Sequence, residues 1–409
     1  MLYSLKMVVM YIEKIIMHID VNNAFLSWTA IYLLKHGHPY DIRYTEAIIG
    51  GDETKRHGIV LAKSMVAKSR GVKTAETIKE ARKKCRHLEV YPPNFPFYRY
   101  MSSKMFELIS NYTPDIEILS IDECFIDYGK VKKLYGDEIK FAYKLKKEIK
   151  DNLGFTVNIG IANNKLCAKM ASDFLKPDRV HTLFEYEIED KMYPLKIGDL
   201  FGIGKKTSEK LINLGYYTIG DLARADIEIL SKYFKNQAKK MINSAKGIGD
   251  SEVISKKRDA LSISKSITLP YNLNTIYEIN EVLKELVIDI CNSLKRQKKY
   301  ASVVGVQLKD KHFRTYSHQK KLLNVSDDFD TVYDVVKKIV REMYQDEPIR
   351  LVGVSLNKIV STNNYQISMF DNVEEKEKDL KINEVIDKIN KVYGSNIVTK
   401  GIKKSSYFP

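Results

Sequence analysis

The sequence predicts an α/β protein of several domains. Three observations carry that expectation. Short β-branched runs alternate with helical patterns up to about residue 185, the signature of an α/β sheet layer. After Tyr193-Pro194 the texture changes to short helices separated by glycine turns, up to about Gly249. A further block, 259–361, then has its own rhythm of strands and helices. A chain of 409 residues has room for roughly two to four domains.

Ile15-Ile16-Met17-His18-Ile19 reads as a buried strand ending in Asp20. Asn22 or Asn23 then offers an N-cap for a helix bearing Phe25, Trp28, Ile31 and Leu34, which Gly37 closes. A small charged α/β region spans about 40–89, broken by Tyr91-Pro92-Pro93. A helix over about 99–109 leads to a strand over 116–121, which resumes after Asp122-Glu123 as Cys124-Phe125-Ile126-Asp127. A helix to about Asn152, a strand over 155–161 and a helix over 164–174 follow. Lys256-Lys257-Arg258 reads as a linker. In the last block, strands are expected at 261–269, 301–309, 312–318 and 350–357, and helices at 278–297 and 328–344. Ile279, Val282, Leu283, Leu286, Val287, Ile290, Cys291 and Leu294 fall at helical spacing and mark a core stripe. Beyond Thr362 the chain is polar and reads as a mobile tail, with one amphipathic helix possible over 381–395.

A hydrophobic fraction of 44% allows packed cores. No apolar window reaches about 18 residues, which excludes a spanning helix. The net charge of +15 favours a polyanionic partner, nucleic acid above all. Cys85, Cys124, Cys167 and Cys291 are far apart, so neither a zinc site nor a disulfide framework is expected, and a reducing cytoplasm suits them. Residues 1–14 carry Lys6, Glu13 and Lys14 and show no signal-peptide cleavage site; they read as a flexible arm or as the product of an upstream start codon.

The candidate chemistry lies in three carboxylates. Asp20 ends one strand, and Asp122-Glu123 interrupt another about 100 residues later. Acidic side chains inside an apolar strand are costly unless paired or metal-bound. Phosphoryl transfer needs positioning and positive charge on the attacking and leaving oxygens, which two magnesium ions held by carboxylates supply. Read alone, Asp20 could equally cap a helix and Asp122-Glu123 could lie at a solvent edge. Adjacent residues on an ideal strand also point to opposite faces, so a shared site requires the strand to bend at Asp122.

Four motifs bear on this choice: I-M-H-I-D-V-N-N-A-F-L-S at 16–27, S-I-D-E-C-F-I-D at 120–127, G-I-A-N-N-K-L-C-A-K-M-A-S-D-F-L-K-P at 160–177 and L-F-G-I-G-K-K-T at 200–207. With them, the chain from about Ile15 to Ile359 resembles the Y family of DNA polymerases, the branch that includes bacterial DNA polymerases IV and V. The resemblance implies a right-hand architecture: an α+β palm (15–35 and 90–185), small fingers (36–89), a helical thumb with a helix-hairpin-helix (186–250) and an α/β little finger (256–361). It implies Mg²⁺ ligands at Asp20, Asp122, Glu123 and the Val21 carbonyl, two ions per site, and a steric gate at Phe25 beneath the incoming sugar. Lys68 and Lys176 fall on positions that contact the incoming triphosphate. There are departures. Met65 stands where the polymerase IV branch has a tyrosine, Lys68 where it has an arginine, Ala24 replaces an aromatic and Asn22 a second aspartate. Lysine keeps a point charge for phosphate but loses bidentate geometry, and methionine donates no hydrogen bond.

Gly202, Gly204, Lys205 and Lys206 lie between two short helices, in a turn whose N–H groups can face a DNA phosphate, or which is an ordinary helical turn. Lys295-Arg296-Gln297-Lys298-Lys299 either contacts DNA or complements its own helix dipole. In the tail, Gln366-Ile367-Ser368-Met369-Phe370 resembles the peptide by which bacterial polymerases bind the sliding clamp; Gln366, Met369 and Phe370 would carry the contact. The expected activity is low-fidelity, DNA-dependent DNA synthesis by a cytoplasmic monomer, using primer-template DNA and deoxynucleoside triphosphates in damage tolerance. A non-catalytic, clamp-tethered DNA-binding protein and a nucleotidyl cyclase are the alternatives.

Overall fold

The computed structural model describes residues 14–362 apart from 54, 55, 57, 257 and 258, together with Ile382, Val385 and Ile389. The tail peptide, the leader before Lys14 and nearly all of 381–395 lie outside the described residues. The chain divides into two compact units, Met1–Asp259 and Ala260–Pro409.

The strands of the first unit are β1 (Ile16–Val21), β2 (Ala47–Gly50), β3 (Val60–Lys63), β4 (Glu89–Tyr91), β5 (Ile116–Ile118), β6 (Glu123–Asp127), β7 (Val157–Ala162) and β8 (Val180–Thr182). They form a five-stranded sheet in the order β5-β6-β1-β7-β8 and a three-stranded sheet in the order β3-β2-β4. Every residue of β1 and of β7 is buried. That is why both read as continuous apolar runs: each is covered on both faces. Met17, Ile19, Cys124, Ile126 and Ile159 enter a core with Trp28, Tyr98, Leu145 and Ile149 of the flanking helices. Ile16, Phe125 and Ala162 face the other way, into a core shared with the helix Lys165–Asp173 and the short helices that follow it. The helix Ala24–Lys35 bridges the two sheets, since its Leu26 and Ala30 pack with Ile42, Ala47, Ile49 and Ala62.

Two local expectations are corrected. Asn23 sits at the N-cap but in the left-handed region, φ 51°, and makes no side-chain cap; its amide instead donates to the Lys63 carbonyl at 2.7 Å. The 116–127 segment is not one bent strand. It is a hairpin of β5 and β6, with Leu119 and Ser120 both donating to the Glu123 carbonyl, and Asp122 is the last residue of its turn.

Gly160 on β7 is where the Lys165–Asp173 helix approaches the sheet most closely. A Cβ there would lie 1.9 Å from the Ala168 carbonyl oxygen and 2.5 Å from the Ser172 nitrogen. Both atoms are backbone, so relief requires moving the helix. Gly160→Ala is expected to destabilise the protein by at least about 1–3 kcal/mol, the scale of overpacking, read as a lowered melting temperature.

The second unit holds β9 (Ser262–Leu273), β10 (Tyr300–Asp310), β11 (Thr315–Ser326) and β12 (Ile349–Val360), antiparallel in the order β11-β10-β12-β9. The helices Ile276–Gln297 and Phe329–Met343 pack their apolar stripes on the sheet. β11 outruns its expected range because Ser317-His318-Gln319-Lys320-Lys321 offers no alternation to read. Pairing with β10 is what makes this edge segment a strand.

Candidate active site

The site is assembled by strand register. Alternation sends Ile16, His18 and Asp20 to one face of β1. Asp20 lies opposite Glu123 on β6 and Asn158 on β7; one row further in, His18 lies opposite Phe125 and Gly160. Opposite residues carry their Cβ atoms about 4.5–5.5 Å apart, so two carboxylates distant in sequence are brought side by side. Asp122 is fixed next to them from the turn, because its carbonyl accepts from the Val21 N–H at 3.0 Å. Thus Asp122 and Glu123 reach the end of β1 by different routes, one by backbone and one by side chain, and no bend in a strand is needed. The Asp122 carboxylate itself accepts from the Ser120 hydroxyl.

Two lysines face the row. Lys176 pairs with Asp20 and, at 2.8 Å, with Asp173. Lys169 pairs with Glu123. Burial pushes the Asp20 carboxyl above its ordinary pKa, against the pull of Lys176. Burial also works against the Lys176 charge, but Asp20 and Asp173 outweigh it and hold that ammonium above the usual lysine value. Glu123 is held down to about 2 by its hydrogen bond with His18 and by Lys169, despite its burial. His18 is fully buried, and desolvation holds it below the ordinary histidine range. A neutral ring then donates Nε2–H to Glu123 at 3.1 Å, and its Nδ1 lies 2.8 Å from the Ser172 hydroxyl, which also has the Lys169 carbonyl as an acceptor at 2.8 Å.

Among the described residues, no group of three or more His, Cys, Asp or Glu side chains is disposed to hold a metal ion. The reason is visible in the contacts: lysines engage Asp20 and Glu123, and Asp122 turns to Ser120. The donor set is nevertheless all oxygen, the kind that magnesium takes. Lysine stems are flexible, and serine is a weak competitor for a carboxylate. The residues therefore suit a hard divalent cation once these side chains turn toward it.

Phe25 is half-buried on the first turn of the Ala24–Lys35 helix. Its ring stacks on Tyr98, with centroids 4.8 Å apart and an interplanar angle of 10°, and meets Phe95 edge-on at 5.9 Å. Lys68 is exposed on the short helix Met65–Ser69, beside the exposed Met65. Gly202 has φ +92°, and Gly204 precedes the helix Lys205–Asn213 with no side-chain cap. The helix-hairpin-helix turn is preceded by the single 3₁₀ turn Ile197–Asp199 rather than by an α-helix. It is tied to the site, since the Phe201 N–H donates to the Met170 sulfur at 3.3 Å and Lys169 sits 5.3 Å above the Phe201 ring.

Sequence reasoning did not single out His18, Asn158, Lys169 or Ser172. His18 shares the parity of Asp20, and Lys169 and Ser172 are three apart on one helix, so period alone could have flagged those three. Nothing local marks Asn158.

Residues 19–173 match the impB/mucB/samB family, 187–216 the helix-hairpin-helix motif of that family and 260–369 its C-terminal domain. The chain is 43% identical to DNA polymerase IV of Clostridium acetobutylicum over 392 residues, 95% of this chain and 98% of that protein. It is 32% identical to DNA polymerase IV of Oceanobacillus iheyensis over 400 residues, 96% and 93% of the two chains. A chimeric Y-family DNA polymerase of known structure matches the fold with a TM-score of 0.73 at 23% identity, covering 85% of this chain and all of that one. DinB from Sulfolobus solfataricus matches with a TM-score of 0.56 at 24% identity and the same coverage. Motifs, fold and relatives agree: the chain belongs to the impB/mucB/samB family, the Y family of DNA polymerases.

Proposed function

We propose that this protein extends a primer on a DNA template, adding deoxynucleotides by metal-assisted phosphoryl transfer, and that it does so across damaged bases. The observation that carries this reading is the cross-strand pair Asp20–Glu123, with Asp122 pinned to the end of β1 and Lys176 facing Asp20. Asp20, Asp122, Glu123 and the Val21 carbonyl would hold two Mg²⁺ ions. These supply the positive charge that the transferred phosphoryl group needs. Lys176, freed from Asp20, would bind the triphosphate of the incoming nucleotide, and Lys68 would add a point charge from the fingers. Phe25 would lie under the sugar. His18 and Lys169 hold the Glu123 carboxylate ionised and in one orientation.

In this reading 15–35 with 90–185 form the palm, 36–89 the fingers, 186–250 the thumb and 256–361 the little finger. Gly202, Gly204, Lys205 and Lys206 would grip the DNA backbone. Among the described residues no helix is long and apolar enough to cross a membrane, and we place the enzyme in the cytoplasm as a monomer. Primer extension with Mg²⁺ on undamaged and damaged templates tests the reading; DNA binding without nucleotide incorporation would favour a non-catalytic role.

Gln366, Met369 and Phe370 would dock into the groove of a bacterial sliding clamp. Met369→Ala with Phe370→Ala is expected to remove clamp-stimulated processivity and to spare clamp-free extension. Equal loss in both assays would instead make Phe370 part of the folded core.

A further inference from the structure

The segment that bears Lys176 is held by almost no apolar packing. From Asp173 to Arg179 only Phe174 and Asp178 are half-buried, the rest are exposed, and Leu175 is 66% exposed. A pair of buried amides anchors it on both sides of the lysine. Asn158, fully buried on β7 in the same row as Asp20 and Glu123, donates from Nδ2 to the carbonyls of Ser172 at 2.9 Å and Leu175 at 2.7 Å. Its Oδ1 accepts from the Arg179 N–H and from the Asn22 amide, both at 3.1 Å. Both donors and both acceptor positions of the side chain are thus used. Asn22 completes the set: its Oδ1 accepts from the Asp178 N–H at 2.8 Å and from the Thr156 hydroxyl at 2.9 Å. Ser172 and Leu175 precede Lys176, and Asp178 and Arg179 follow it. The chain is therefore gripped on both sides of the lysine by two asparagines whose amides hydrogen-bond to one another and to the chain, not to the three carboxylates of the site. Lys146 and Lys150 also hold Asp178 from the neighbouring helix, the exposed His181 ring lies 3.3 Å from the Leu175 carbonyl, and the Arg179 carbonyl accepts from the Ile159 N–H at 2.9 Å, but only Asn158 engages the chain on both sides of Lys176 at once from a buried position.

We propose that Asn158, acting with Asn22, is a positioning residue that fixes Lys176 at the height of Asp20 and so sets the affinity for the incoming nucleoside triphosphate. The inference rests on Lys176 as a triphosphate contact. An amide suits the task because it can donate to two carbonyls and accept from two N–H groups at once; serine or alanine in its place cannot span them. Misplacement of a binding group by about 1 Å is enough to matter, and the ion pairs of Lys176 with Asp20 and Asp173 hold its ammonium, not the backbone that carries it.

The test is single-nucleotide incorporation by the full-length protein. The variants are Asn158→Ala, Lys176→Ala and the double variant, with Asn158→Ser as the milder change should Asn158→Ala fold poorly. Primer-template affinity and melting temperature are measured alongside. Asn158→Ala is expected to raise the KM for deoxynucleotide about tenfold, a factor equivalent to about 1.4 kcal/mol, with primer-template affinity unchanged. Asn158→Ser should raise it by less. In the Lys176→Ala background the same change should add nothing to KM, because two changes acting through one group are not additive. An equal rise in that background overturns the proposal, since Asn158 would then act independently of Lys176. An unchanged KM in both Asn158 variants, with Lys176→Ala raising it, overturns the proposal alone. If Lys176→Ala leaves KM unchanged, the triphosphate role of Lys176 falls and the proposal falls with it.

Discussion

Alanine at Glu123 or at Asp122 is expected to abolish primer extension, with a loss in kcat of at least about 10²–10³-fold, the scale of removing one electrostatic contact to a transition state. Primer-template affinity should stay within a few-fold. The asymmetry follows from placement. Glu123 faces Asp20 across two strands and is engaged by His18 and Lys169, and the Asp122 carbonyl is bonded to Val21. These carboxylates gather positive charge; they would repel a DNA phosphate, so their loss should not weaken the duplex contacts. Truncating Glu123 also leaves Lys169 without its carboxylate in a half-buried site, which raises the question of folding. Glu123→Gln settles it, since the amide preserves shape and can still accept from His18. A melting temperature near that of the parent with extension lost is the expected result. Normal extension by the Asp122→Ala, Glu123→Ala double variant would overturn the site.

Phe25→Ala is expected to reduce discrimination against ribonucleotides by about 10²-fold, the range one extra group in a packed pocket controls. Most deoxynucleotide incorporation should be kept. Phe25 lies five residues past Asp20 at the start of the Ala24–Lys35 helix, and its ring is braced by a parallel stack on Tyr98 and an edge contact from Phe95. Tyr98 is in turn locked by its hydroxyl contact with Thr29 at 2.6 Å. A ring with so little freedom cannot step aside for a 2′-hydroxyl, so rejection comes from clash. The competing outcome is a fall of roughly 3–5 kcal/mol in stability with both activities depressed together, the cost of truncating a core phenylalanine. Phe25 is only half-buried, which places its cost below that range. Incorporation of a matched ribo- and deoxynucleotide pair, measured beside a melting curve, separates the two; an unchanged ratio removes Phe25 from sugar selection.

Much of the molecule was legible in the sequence because its signals are local. The buried runs of β1 and β7, the capped helices and the stripe from Ile279 to Leu294 each announce themselves by period and composition. The carboxylates stand out as charges at the ends of apolar runs, and the motif strings around them carry the family resemblance. What the tertiary structure alone decided is pairing. That Asp20 faces Glu123 on one side and Asn158 on the other depends on the register of three strands from distant parts of the chain. That Asp122 reaches β1 by its carbonyl depends on a hairpin the sequence reads as a single strand. Gly160 has meaning only once the helix Lys165–Asp173 is seen against its bare backbone. Lys169 and Lys176, on that helix and just beyond it, meet the row only because that close approach is allowed. Local sequence sets which residues are charged or buried. Register and helix packing set which charges face each other, and no period of two or of 3.6 encodes that.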